Sequence, residues 1–187
     1  MRAVLISIQP KYVELIASGK KTIEVRKSRP KLEVPFKCYI YCTLNKKGED
    51  VLLIDTNGEN VRFGDYRNAC TCDVNGKVYC NIGNGNVIGE FVCDRIVGYY
   101  PYGLRGFELS NKVLKNMCLS NKDLNEYGKL DRVYGWHISQ LKIYDKPKEL
   151  REFKHWKNYN MGTWVFSNLE EVKRPPKSWS YVEDLGV

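Results

Sequence analysis

The chain has 187 residues, enough for one domain with a real core and no disulfide staples. Hydrophobic residues make up 43% and charged residues 28%, globular proportions that exclude a disordered tail, a collagen-like repeat or a fibre, and no uncharged apolar run nears the roughly 18 residues of a bilayer span. The net charge of +8 is concentrated: Met1 to Lys31 carries Arg2, Lys11, Lys20, Lys21, Arg26, Lys27, Arg29 and Lys31 against Glu14 and Glu24, a basic region suited to a polyanion.

Arg2 to Ile8 alternates Val4, Ile6 and Ile8 with Leu5 and Ser7, which predicts a half-buried strand. Its apolar run stops at Gln9-Pro10-Lys11 with no small-residue cleavage site, so a chain retained in the cytoplasm is expected. Pro10 suits a first helical position, Tyr12, Val13, Leu15 and Ile16 an apolar stripe, and Gly19 the residue past the last turn, predicting a helix from Pro10 to Ser18. Thr22 to Arg26 alternates again. Ile23 and Val25 face a core, and Thr22, Glu24 and Arg26 face the other way.

Lys37 to Thr43 is rich in strand formers, with Cys38 and Cys42 as buried filler. From Asn45 to Asn86, Gly, Asn and Asp predominate and predict hairpins and loops as an insertion over about 45–86. Val87 to Tyr100 is the longest apolar strand pattern, and Gly89 and Gly98 mark bulges or places where another backbone comes close. Two short helices follow, Ser110 to Met117 and Ser120 to Tyr127, the second capped by Ser120.

Arg132 to Tyr144 returns to strand, with Tyr134, Trp136 and Ile138 on one face and Val133, His137 and Ser139 on the other. Over about 147–187, Pro147, Pro175 and Pro176 with Trp156, Trp164 and Trp179 predict an extended tail pinned by aromatics. Connections this short imply mostly antiparallel pairing. A single α+β domain over 1–187 is expected, a small mostly antiparallel β-barrel with short flanking helices.

Seven cysteines, at 38, 42, 70, 72, 80, 93 and 118, form an odd set without a secretion signal and read as reduced thiols. Cys70-Thr-Cys72 followed by Cys80 does not match the usual C-x2-C spacing of a zinc site. Neither a metal nor a cofactor is expected.

The sharpest feature is Gly19-Lys20-Lys21-Thr22-Ile23-Glu24-Val25-Arg26. An ammonium, a hydroxyl, a carboxylate and a guanidinium can converge there. Lys21 and Arg26 can hold a phosphate or an oxyanion, and Glu24 can act as a general base or accept from the exocyclic amine of a base. The same spacing also suits a salt-bridge set that only fastens the sheet. His137 is placed to line the same cleft as a proton shuttle, or to hydrogen-bond across the sheet. Tyr99-Tyr100-Pro101-Tyr102-Gly103 offers planar faces of the kind that stack unpaired bases.

Ser7-Ile8-x-Pro10 followed by Gly19-x-Lys21-Thr22-x-Glu24-x-Arg26 resembles the ASCH domain family of the PUA-like superfamily, whose signature is Gly-x-Lys-x-x-Glu-x-Arg. Val87-Ile-Gly-Glu90-Phe91, Tyr134-Gly-Trp136-His137-Ile138-Ser139 and Arg174-Pro-Pro-Lys-Ser178-Trp179 extend the likeness to the phage and Gram-positive branch. The resemblance implies a PUA-like barrel with a cleft beside the octapeptide that binds RNA or a modified nucleotide. In an amidohydrolase branch of the family a Lys, a Thr and a Glu do the work. Lys21 matches that Lys, Glu24 stands where the Thr nucleophile would be, and Lys115 where the acid would be.

Three functions follow as expectations. The first is a monomeric module binding RNA or a nucleotide through Ser7, Gln9, Lys21, Thr22, Glu24, Arg26 and His137. The second is a hydrolase of RNA or an acylated nucleoside with Lys21 and Glu24 as the catalytic pair. The third is a phage-type adaptor whose basic face meets an acidic protein. No membrane partner is expected.

Overall fold

The computed structural model describes residues 1–44, 50–54, 61–65, 71–72, 78–79, 82–161 and 164–186. In chain order, strand β1 (Arg2–Ile8) leads into helix α1 (Pro10–Ala17), and β2 (Ile23–Arg26) and β3 (Phe36–Cys42) follow. Four short strands come next: β4 (Asp50–Ile54), β5 (Val61–Asp65), β6 (Thr71–Cys72) and β7 (Val78–Tyr79). Strand β8 (Val87–Tyr99), helices α2 (Asn111–Met117) and α3 (Asn121–Gly128), and the 16-residue β9 (Val133–Lys148) complete the middle of the chain. Strands β10 (Lys154–Met161), β11 (Trp164–Glu171) and β12 (Trp179–Glu183) close it. Among the described residues no helix is long and apolar enough to cross a membrane.

The chain packs as two compact units, both discontinuous in sequence. The first comprises Met1–Glu14, Lys37–Glu90 and Lys142–Val187. Its strands run in the order β12-β1-β3-β8-β9. Strand β1 lies antiparallel to β12 and parallel to β3, the parallel pair being possible because a helix and a strand separate the two in sequence. Alternation predicted one wet face for β1, but Ala3 to Ile8 are all buried. The reason lies in the last third of the chain: Ala3 and Leu5 share a core with Tyr39, Val87, Phe153, Val172 and Val182, so both faces of β1 are covered. The predicted extended tail is instead a hairpin, β10 on β11 with Lys154 opposite Glu171, followed by β12. Within the 45–86 insertion β4 pairs with β5 and β6 with β7, both antiparallel. Cys70 and Cys80 lie outside the described residues, and of Cys72 only the strand backbone is described.

The second unit comprises Leu15–Phe36 and Phe91–Leu141. Its strands run β8-β9-β2, and β2 is antiparallel to β9. Ile23 and Val25 build its core with Phe107, Met117, Leu124 and Val133. Helix α3 starts in a capping box: the Ser120 hydroxyl accepts from the Asp123 backbone N–H, and the Asp123 carboxylate accepts from that of Ser120, satisfying two of the donors a helix start leaves open. Mixed α/β architecture matches the expectation, but the barrel does not. The hydrogen-bonded strand order ends at β12 and at β2, so among the described residues the strands do not close.

Candidate functional site

The second unit holds the charged residues of the octapeptide. Gly19, at φ +70°, takes a left-handed conformation open to glycine without steric cost and turns the chain from α1 towards β2. The Lys21 N–H donates to the Leu15 carbonyl at 2.8 Å and the Thr22 N–H to the Asn116 carbonyl at 2.9 Å, so the end of α2 lies against the start of β2. The Lys21 ammonium donates to the neighbouring Met117 carbonyl at 2.6 Å, a favourable place for a cation because the last carbonyls of a helix are unsatisfied and negative.

Glu24 draws the two cations together. Its carboxylate lies 3.4 Å from the Lys21 ammonium and 3.0 Å from the Arg26 guanidinium. The three residues are 2%, 6% and 8% exposed, a buried trio where alternation alone predicted a solvent-lined face. Register explains the burial: Glu24 stands opposite Trp136 and Arg26 opposite Tyr134, and opposed residues of an antiparallel pair share a face. Trp136, fully buried, meets Phe36 edge-on at 5.9 Å. Tyr127 lies close enough for its hydroxyl to feel both Arg26 and Glu24, although burial dominates and raises its pKa.

His137 is not placed with this trio. It pairs with Ile23 and so projects from the other face of the strands. Alternation along each strand by itself places His137 in the same cleft, because neither strand's sequence contains the register between them. Its Nδ1 lies 3.1 Å from an Arg95 Nη. A guanidinium only donates, so Nδ1 is the acceptor and neutral His137 carries its proton on Nε2, which is buried without a hydrogen-bond partner among the described residues. Burial first, and then the Arg95 charge, lower the His137 pKa. Ser139 donates to the Val92 carbonyl at 3.0 Å.

Thr22 is exposed. Ser7 and Gln9 belong to the first unit. There the Ser7 hydroxyl donates to the Pro176 carbonyl at 2.7 Å, and the Gln9 carbonyl accepts from Tyr12 and Val13 N–H to start α1. Of the seven expected residues, then, Lys21, Glu24 and Arg26 come together, through two ion pairs that share Glu24.

The first unit holds an ionic cluster that the sequence reading missed. Lys37 lies 3.1 Å from Asp184 and 3.9 Å from Glu90. Tyr39 donates to Asp184 at 2.7 Å and Tyr144 to Glu90 at 2.6 Å. Burial and these carboxylates push both tyrosine pKa values far up. Burial also works against charge on Asp184, but donors from Tyr39, Gly186 and Lys37 outweigh it and hold its pKa below the ordinary value. Its members are scattered over 148 positions of the chain (37 to 184), and no local spacing marks them.

Strand-rich mixed architecture with a Gly-x-Lys-x-x-Glu-x-Arg edge strand defines the class. The chain belongs to the ASCH domain family, whose model matches residues 6–99. Among solved structures it is similar to an ASCH protein from Zymomonas mobilis, with 14% identity over 97% of this chain and 87% of that one and a TM-score of 0.48. A serine-to-alanine variant of the Zymomonas mobilis protein gives 16% identity over 97% and 88%, with a TM-score of 0.47. Its tyrosine-to-phenylalanine variant gives 15% over 97% and 90%, with a TM-score of 0.43. No curated protein matches.

Proposed function

We propose that this chain is an RNA-binding module that takes RNA or a modified nucleotide beside β2. ASCH domains are associated with RNA binding, and Lys20, Lys21, Arg26, Lys27, Arg29 and Lys31 lie on or directly beside that strand in sequence. The observation that carries the reading is the exposed basic run just past β2: the Lys21 and Arg26 charges are held by Glu24, and Lys27 and Arg29 follow Arg26 directly onto the surface. A general acid or base must come within hydrogen-bond reach of its substrate. Lys21 is enclosed and already donates to Met117, which favours binding over hydrolysis and makes Lys21 and Glu24 positioning residues.

Fluorescence anisotropy of labelled single-stranded RNA tests the reading. Affinity should fall linearly in log–log terms as salt rises, because phosphate contacts release counterions. Absence of binding at low salt overturns it. Turnover of RNA or an acylated nucleoside that disappears in Lys21→Ala would replace binding with hydrolysis.

A further inference from the structure

The second unit carries, outside the buried trio, a surface on which guanidiniums and tyrosine rings alternate. The Arg29 guanidinium lies 6.0 Å from the centroid of Tyr134, and the Arg132 guanidinium lies 4.8 Å from the same ring. Arg132 is also 5.5 Å from the ring of Tyr100 and donates to its hydroxyl at 3.1 Å. One loop further on, Arg105 lies 5.5 Å from the ring of Tyr102. Tyr100 and Tyr102 are 64% and 67% exposed.

Two features separate this array from ordinary surface decoration. Among the described residues the three guanidiniums rest on rings and none makes an ion pair with a carboxylate, the nearest acidic influence on Arg132 being that of its neighbour Asp131. And two of its members converge at Gly98: a Cβ built there would lie 3.5 Å from the Tyr100 ring and 3.7 Å from the Arg132 stem, so both side chains lie over one point of β8.

We infer that Arg29, Tyr134, Arg132, Tyr100, Tyr102 and Arg105 form a track for single-stranded RNA, in which unpaired bases stack on the exposed rings and the guanidiniums meet the flanking phosphates. This inference rests on the RNA-binding reading and narrows it to unpaired bases. A duplex hides its base faces inside the helix, so it can satisfy the cations but not the rings. Every base has a π-face, so stacking of this kind tolerates any sequence. Tyr134 stands opposite Arg26, which puts one end of the track beside the buried trio.

The test uses the full chain and one labelled RNA of mixed sequence, alone and annealed to its complement. Tyr100→Leu should weaken single-strand binding about tenfold, the loss of one stacked base, whereas Tyr100→Phe, which keeps the ring, should bind like the parent. Arg132→Gln should lower the salt slope by about one. Both side chains are on the surface, and unchanged melting of each of the three variants verifies its fold. If the parent binds RNA while Tyr100→Leu and Arg132→Gln bind equally well, or if the duplex binds as tightly as the single strand, the track is overturned and the RNA-binding reading survives. If the parent binds no RNA at low salt, both fall.

Discussion

Neutralising Glu24 tests the buried trio most directly. Glu24→Gln keeps the shape and removes the charge, leaving the Lys21 ammonium and the Arg26 guanidinium facing a neutral amide at what were 3.4 and 3.0 Å contacts. Even at an effective dielectric constant near 20, each contact is worth about 5 kcal/mol of Coulomb attraction, most of it offset by the cost of desolvating the ions. Removing the shared partner of a buried pair costs about 3–5 kcal/mol, and the side chains, 2% to 10% exposed, leave little water to screen the stranded cations. For a chain of this size that corresponds to a fall in melting temperature of about 6–20 °C. Lys21→Met should cost less, because Glu24 keeps Arg26. In the double variant Arg26 is the one stranded cation, so the combined loss should be smaller than the sum of the single losses. Glu170→Gln, on the exposed Lys157 pair at 3.2 Å, serves as the control and should leave melting unchanged. Urea denaturation followed by circular dichroism reads all four. A Glu24→Gln loss under about 1 kcal/mol, or strict additivity, would mean that water reaches the trio and that the burial argument is wrong.

Gly89→Ala should destabilise by about 2 kcal/mol or more, since its Cβ would lie 2.4 Å from the Lys142 carbonyl oxygen and backbone cannot step aside; Gly98→Ala, with nothing closer than 3.5 Å, should show no such loss. His137 has a lowered folded pKa, so its stabilising contribution is present above the unfolded value of about 6.5 and is lost as pH falls through the folded one. Melting between about pH 7 and 5 should therefore drop less in His137→Gln than in the parent, and an identical drop would remove His137 as the cause. Burial pushes the Cys42 and Cys93 thiols up to about 12. Alkylation of the native protein at neutral pH followed by mass spectrometry should modify Cys118 well before either, and prompt labelling of Cys93 would contradict its burial.

Local pattern was enough to find the strands and helices whose periodicity is decided by their own residues: Arg2–Ile8, the Pro10 helix start and the Ser120 cap. It also picked out Gly89 as a site of close backbone approach, because a glycine inside a strand-forming run has few other uses. What it missed depends on partners far away in sequence. The second face of β1 is covered by Phe153 and Val172, and no reading of residues 2–8 contains that information. Prolines and tryptophans alone predict an extended tail, whereas the β10–β11 hairpin depends on cross-strand pairs such as Trp156 with Leu169 and Asn158 with Ser167. The convergence of Lys21, Glu24 and Arg26 is legible because Glu24 and Arg26 alternate onto one face of β2 and the turn just before the strand presents Lys21. The position of His137 was not, because it depends on the register between β2 and β9, and a shift of one residue turns every side chain to the other face.

That same register links the buried trio to the exposed track. Lys27 and Arg29 follow Arg26 without a break and leave the strand where pairing with β9 ends, Lys27 over the ring of Tyr127 at 5.1 Å and Arg29 over Tyr134. A slip of β2 by one residue would bring Glu24 and Arg26 into the apolar core of Phe107, Met117 and Leu124, which buried charge strongly opposes. The trio thus selects the register, and the register decides where Arg29 and Tyr134 meet. Under the proposed RNA-binding function the octapeptide would contribute through geometry: its charged residues are spent internally, and the cations that β2 leaves for a phosphate are Lys27 and Arg29, exposed beyond its end.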